Sequence, residues 1–269
     1  MAMDDPTRLR TVFDPGLNAP VDRHRVQLDL GGGRTTLADL YRPPDAADAA
    51  LPVVLFIPGD APQFLMDGLL EWGQYHAWGE AVAGRGLAAV VAQHASTHGL
   101  RAAVEVAAEI RDTLAAVRAE AEDLGIDPNR LAVWTASGGA SLGAVAALEA
   151  VPPVVALVVY YGLLDLRDAA QRVGALDAAS AARVSAAAVA RGLTTVPPTL
   201  LVTAGLDAPA LNATAEQFAE AIAGKGDLQR LHHPAGRHAF DILDDDATSA
   251  DIIAKTLDYL ADHLAQQEA

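Results

Sequence analysis

Three polar residues in this 269-residue chain have the types and the chain order needed to make a hydroxyl nucleophilic. The apolar run Leu131-Ala-Val-Trp134 reads as a strand ending at about Ala136. Ser137 comes next, followed at once by Gly138, Gly139 and a helical pattern. A serine on a tight strand-to-helix turn is pushed out of the backbone's path, so its hydroxyl stands exposed at the C-terminal edge of a sheet. A hydroxyl is a weak nucleophile until a base takes its proton. Further along, Thr199-Leu-Leu-Val202 leads into Thr203-Ala-Gly205-Leu-Asp207, a carboxylate on the turn leaving a strand. Leu228-Gln-Arg-Leu-His232 leads into a glycine-containing loop that carries His238. Nucleophile, acid, then histidine is one of the chain orders in which a Ser-His-Asp triad is built, and the chemistry such a triad does is acyl transfer.

Each residue also has a plainer reading. Ser137 at a helix start is a good N-cap, and a lone aspartate on a turn is usually solvated surface. The only full match to G-x-S-x-G is Gly139-Ala-Ser141-Leu-Gly143. Ser141, however, lies a full turn into the helix, and nothing strand-like immediately precedes it. The turn at Ser137 wants small residues two positions to either side; Gly139 supplies one, whereas Thr135 stands where glycine is usual. His232 and His233 lie in or just after a strand and read as structural or exposed. His94 and His98 have half of a zinc-site spacing, but Ser96, Thr97 and Gly99 read as loop and no third ligand is near, so no metal is expected.

Acyl transfer also needs N–H groups aimed at the developing oxyanion. The N–H of Gly138, after the nucleophile, is one candidate. The other lies in Pro58-Gly59-Asp60-Ala61, after the apolar run ending at Ile57, where the N–H of Asp60 is favoured and Gly59 allows close approach. Gly59, His94 and Tyr161 are the candidate pocket-lining residues.

These groups must be held by the elements between them. Residues 1–24, with Pro6, Pro15, Gly16 and Pro20, read as an irregular lead-in. His24–Leu30 and Thr35–Tyr41 alternate around Gly31-Gly-Gly33, the signature of an antiparallel hairpin. Apolar runs at 52–57, Leu87–Ala92, Leu131–Trp134, Val154–Tyr160 and Thr199–Val202 read as strands covered on both faces, and Leu228–His232 reads as the last strand. Helical stretches lie between them at about Trp72–Gly84, Ala102–Leu124, Ser137–Glu149 and Ala213–Ala223, and Asp251–Leu264 closes the chain. This alternation predicts a mostly parallel eight-stranded sheet with helices on both faces. Asp165–Gly192 breaks the rhythm and reads as a small cap of two short helices over the sheet's C-terminal edge. Residues 25–269 are expected to form a single domain.

Composition narrows the function classes. Hydrophobic residues make up 51% of the chain, which excludes intrinsic disorder. The net charge of −16, from 19 Lys+Arg and 35 Asp+Glu, argues against nucleic acid and anionic membrane surfaces as partners. With no cysteine, disulfides and a thiol nucleophile are excluded. No signal peptide or membrane span is evident, so a cytoplasmic location is expected.

With Ser137, Asp207 and His238 in order, the chain resembles the α/β-hydrolase superfamily from about residue 25 to 265, nearest to dienelactone-hydrolase-like and small serine esterase members. The resemblance implies a serine esterase with Ser137 as nucleophile, Asp207 as acid, His238 as base, and Gly138 and Asp60 as oxyanion donors. It implies no cofactor. Pro58-Gly59-Asp60 departs from the family's common His-Gly-Gly, and dienelactone hydrolases proper use a cysteine that this chain lacks. The Ala-rich cap suggests a modest apolar pocket for small neutral acyl esters, and the net charge disfavours anionic ones. An acyltransferase or peptidase with the same triad, a non-catalytic binding protein and a homodimer all stay open.

Overall fold

A computed structural model describes residues 20–46 and 50–265. Eight strands form one sheet: β1 (Asp22–Gly31), β2 (Arg34–Arg42), β3 (Leu51–Ile57), β4 (Ala88–Ala92), β5 (Ile126–Ala136), β6 (Ala156–Tyr160), β7 (Thr199–Ala204) and β8 (Leu228–His233). Their spatial order is β1-β2-β4-β3-β5-β6-β7-β8. Only β2 runs against its neighbours, pairing antiparallel with both β1 and β4. All other pairings are parallel. The eight-stranded, mostly parallel sheet is therefore as expected. Most of the lead-in lies outside the described residues, and β1 already begins within its last three positions.

The continuous apolar runs make sense because successive side chains point to opposite faces and both faces are covered. On one face Val53, Leu55, Ile57, Leu131, Val133, Leu157 and Val159 pack under the helices Ala103–Ala119, Ala140–Leu148 and Pro209–Ile222. On the other, Val54, Phe56, Trp134, Val158 and Tyr160 meet Trp78 from the helix Gly73–Ala83 and Leu257 and Leu260 from the helix Ala247–Ala265. The few aromatic side chains are concentrated on this second face, where Trp78, Trp134 and Tyr160 lie 5.2–5.5 Å apart by ring centroid. The helix Ala140–Leu148 is buried on all sides, which is why its sequence shows no polar stripe.

Two expectations need correcting. The stretch 102–124 is not one helix, because it breaks at Glu120 and ends at Gly125 in the left-handed conformation. The insertion at 165–192 holds three short helices, not two: Arg167–Val173, Ala178–Arg183 and Ala186–Gly192. Gly174, with φ 59°, stops the first, and the Asp177 carboxylate caps the second by accepting from the Ser180 N–H. The third joins the helical layer on the first face, where Ala186, Ala187 and Ala190 are buried in the core that contains Ala140 and Ala144. Ser141 fastens that junction. Its Oγ donates to the Val184 carbonyl and accepts from the Ala186 N–H, both at 2.8 Å. The serine of the full G-x-S-x-G match is thus a buried structural residue.

Candidate active site

The loops leaving β3, β4, β5, β6, β7 and β8 converge at the C-terminal edge of the sheet. All five non-glycine residues with positive φ among the described residues lie on them: His98, Leu100, Ser137, Tyr161 and Ala239. Backbone strain of this kind persists only where surrounding structure enforces it, and it gathers at functional sites.

Ser137 has φ 53° and opens a single helical turn directly after β5. Two missing side chains make that turn possible. A Cβ on Gly139 would lie 2.0 Å from the Pro58 carbonyl oxygen, so nothing larger fits where the elbow meets the loop after β3. A Cβ on Gly143 would lie 2.5 Å from Thr135 Oγ1. The bulk of Thr135, where a glycine is usual, is therefore taken up by a glycine eight residues later on the helix. Thr135 is fully buried, and its hydroxyl donates to the Gly139 carbonyl at 3.3 Å.

Ser137 Oγ lies 2.7 Å from His238 Nε2, and His238 Nδ1 lies 2.8 Å from Asp207 Oδ2. The carboxylate can only accept, so Nδ1 carries the proton and Nε2 is left to accept from the serine hydroxyl. The second oxygen of Asp207 accepts from the Ala208 N–H at 2.8 Å. Its side chain is 3% exposed, whereas that of His238 is 40% exposed. The two loops extend the pairing of β7 with β8: Gly205 N–H donates to His233 O and Leu206 N–H to Gly236 O. Acid and histidine are therefore set by one another's backbone.

The loop after β3 packs against the elbow. A Cβ built on Gly59 would lie 3.2 Å from Ser137 Cβ, and one on Gly138 would lie 3.3 Å from the Asp60 backbone nitrogen. The Gly59 N–H is already committed to the Tyr75 hydroxyl at 2.9 Å. The Asp60 carboxylate ties this loop to the one after β4, accepting from the Thr97 N–H at 2.9 Å and from the Thr97 hydroxyl.

Two residues expected to line the pocket do something else. His94 is 2% exposed, with its ring between the carbonyls of Ala95 and Pro58 at 2.9 and 3.1 Å. It supports the backbone of the β3 loop from behind, so it offers no free ring atom to a substrate. Tyr161 is also buried, with its ring edge-on to His238 at 4.9 Å and its hydroxyl donating to Asp241 Oδ1 at 2.8 Å. It is a wall beneath the histidine. Gly59 stands beside Ser137, where a Cβ built on it would lie 3.7 Å from the hydroxyl oxygen.

Sequence reasoning gave no role to Asp241, three residues after His238. This carboxylate is fully buried. It accepts from Tyr161 on one oxygen and, on the other, from Gln74 Nε2 at 2.8 Å and Trp78 Nε1 at 3.0 Å. Gln74 and Tyr75 are adjacent on one helix, so a single turn braces the histidine loop through Asp241 and the β3 loop through Gly59. Burial pushes the Asp241 carboxyl above its ordinary range, against the pull of its three donors. A carboxyl raised on folding binds more protons in the folded than in the unfolded state. The stability linked to it is therefore present at low pH and is lost as pH rises through the folded value. The unfolding free energy of the wild type, relative to that of Asp241→Asn, should fall as pH rises over the range above the ordinary carboxylate pKa in denaturant titrations. A difference that stays constant across that range would contradict this assignment.

Among the described residues, no three His, Cys, Asp or Glu side chains are grouped to hold a metal ion, and no helix is long and apolar enough to cross a membrane. A cleft of about 720 Å³ opens at the opposite edge of the sheet, between residues such as Leu148, Pro153 and Pro197. None of Ser137, Asp207 and His238 lines it.

No family model matches the sequence, and no curated protein does. Solved structures match closely in fold. A thermophilic esterase from the planctomycete Thermogutta terrifontis superposes with a TM-score of 0.72 at 18% identity, over 91% of this chain and 95% of that one. A bacterial heroin esterase gives 0.71 at 20% identity, over 94% and 87%. An esterase from Mycobacterium marinum gives 0.67 at 24% identity, over 91% and 83%. The chain has the α/β-hydrolase fold. These neighbours are esterases, and they lend no support to the dienelactone-hydrolase-like subtype.

Proposed function

We propose that the chain is a serine hydrolase that cleaves carboxylic esters through an acyl-enzyme. The observation that carries this reading is the unbroken relay from Ser137 Oγ through His238 to Asp207, at 2.7 and 2.8 Å. The structural neighbours named above are themselves esterases, which supports the same class of reaction.

In this mechanism His238 Nε2 takes the Ser137 proton as Oγ attacks the ester carbonyl. Asp207 holds the imidazole tautomer and stabilises the imidazolium. The carbonyl oxygen, now negative, is received by the N–H groups of Gly138 and Asp60. Gly138 sits in the first turn of a helix, where backbone donors have no intrahelical acceptor. Gly59 is spent on Tyr75, which leaves Asp60 as the donor from its loop. The tetrahedral intermediate collapses, the C–O bond to the alcohol breaks, and the alcohol leaves with the proton from His238. Water then attacks the acyl-enzyme by the same route, releasing the acid and regenerating Ser137. The protein groups supply every proton transfer, so the scheme uses no cofactor.

The test is a panel of short-chain esters and matching amides on purified protein, with products analysed in the presence and absence of added alcohols. Acid and alcohol in equal amounts from the esters, with amides cleaved at least about a hundredfold more slowly, is the expected result. Preferential transfer to the added alcohol would assign an acyltransferase, faster amide cleavage a peptidase. No turnover of any substrate would point to a non-catalytic binding protein.

A further inference from the structure

Asp60 has an unusual combination of roles. Its N–H is the second oxyanion donor in the mechanism above, yet its side chain is an acid placed beside the elbow. A Cβ on Gly138 would come within 2.9 Å of Asp60 Cβ. Both carboxylate oxygens are engaged by Thr97 alone, through one N–H and one hydroxyl. These donors are neutral. They fix the carboxylate in place without cancelling its charge, and Asp60 has no ion pair among the described residues. Arg101, on the same loop as Thr97, is turned to the His98 carbonyl at 3.3 Å. Arg237, the neighbour of His238, is held by Asp244. Asp207 acquires a compensating charge when His238 takes the serine proton and becomes an imidazolium, whereas Asp60 stays uncompensated as the oxyanion develops, and it is partly exposed to solvent.

A fixed negative charge next to a developing oxyanion raises the energy of the transition state for a neutral ester. A substrate that brings its own positive charge removes that penalty and gains attraction to the carboxylate. The net charge of −16 adds a long-range field of the same sign, which draws cations toward the molecule. We infer that Asp60 is a specificity-determining residue and that the preferred substrates are esters carrying a cationic group, such as a quaternary ammonium, a few bonds from the scissile carbonyl. This rests on the serine hydrolase reading and replaces the expectation of neutral esters drawn from the sequence.

The test compares isosteric ester pairs. One pair is acetylcholine and the acetate in which a tert-butyl group replaces trimethylammonium, which places the charge on the alcohol side. The other is the ethyl ester of trimethylammonio-butyrate and its tert-butyl counterpart, which places it on the acyl side. Each ratio of kcat/KM is divided by the ratio of the hydroxide-catalysed rates, to remove intrinsic reactivity. At low ionic strength the cationic member of at least one pair should be favoured about tenfold, and the preference should shrink with added salt.

Asp60→Asn removes the charge but keeps the shape. Its amide oxygen can accept from the Thr97 N–H, and its amide nitrogen can donate to the Thr97 hydroxyl. The ratio in this variant should collapse toward one, whatever happens to the absolute rate. Asp60→Ser, which also lacks the charge, should behave alike and stands in if the asparagine variant does not fold. Hydrolysis of the neutral esters with no preference in either pair, or a preference that survives both substitutions, overturns the inference while leaving the hydrolase reading intact. No hydrolysis of any of the four esters removes the hydrolase reading and this inference with it.

Discussion

Replacing Ser137 with alanine should lower the turnover of a short-chain ester on the order of 10⁶-fold, with the fold and thermal stability retained. Removing the nucleophile of a triad costs about as much as removing the whole relay, because the members act as a unit. What remains is the modest catalysis of the oxyanion donors and of binding itself. The control is Ser141→Ala, for which the opposite pattern is expected. Ser141 Oγ takes no part in the relay but satisfies the Val184 carbonyl and the Ala186 N–H in a fully buried setting. Losing it leaves two backbone groups unpaired, at about 1–3 kcal/mol each, so Tm should drop while kcat stays within a few-fold of the wild type. Steady-state rates and thermal unfolding of the two variants are enough to read this crossed pattern. An inactive Ser141→Ala protein beside an active Ser137→Ala one would move the nucleophile to the other serine.

The second large effect is expected at Asp207. Asparagine there should reduce kcat about 10⁴-fold with KM little changed. The reason is the tautomer. Asp207 accepts from Nδ1–H, which leaves Nε2 unprotonated and 2.7 Å from the serine oxygen. An asparagine amide donates toward Nδ1 instead, shifts the ring proton to Nε2 and takes away the base. The loops around the residue should hold their shape, because their contacts run through backbone groups such as Gly205 N–H to His233 O. A fall of less than about tenfold in kcat would mean that Asp207 does not orient the histidine.

The meeting of Ser137, Asp207 and His238 was legible because each carries its own local signature. Ser137 and Asp207 each follow an apolar strand and His238 follows the mixed strand at the sheet's edge; all three stand on a turn containing glycine or bordered by it, and their order along the chain matches the sheet that the strands build. The framework that fixes them was not legible, since it depends on pairs far apart in sequence. Gln74 meets Asp241 across 167 positions, and Asp60 meets Thr97 across 37. No local pattern marks a glutamine or a threonine as the partner of a particular acid. Thr135 shows the same limit at shorter range. It looked like a flaw in the elbow, and its compensation by Gly143 depends on where the helix lies over the strand. His94 and Tyr161 were placed at the correct edge of the sheet, but the direction of a side chain on a loop is set by packing. Both turned inward, one to the carbonyls of Pro58 and Ala95 and the other to Asp241. The insertion also hid its third helix, because an alanine-rich run does not show where one helix stops and the next begins; Gly174 and Asp177 mark that point only once their backbone is seen.

The account depends on Ser137 being an activated hydroxyl, and a fluorophosphonate probe reads that property directly. Labelled protein would be digested and the modified peptide located by mass spectrometry. One adduct per chain is expected, on Ser137, and it should be lost in Ser137→Ala and strongly slowed in His238→Ala. An adduct on Ser141, or a folded wild-type protein that takes up no label, would contradict the account.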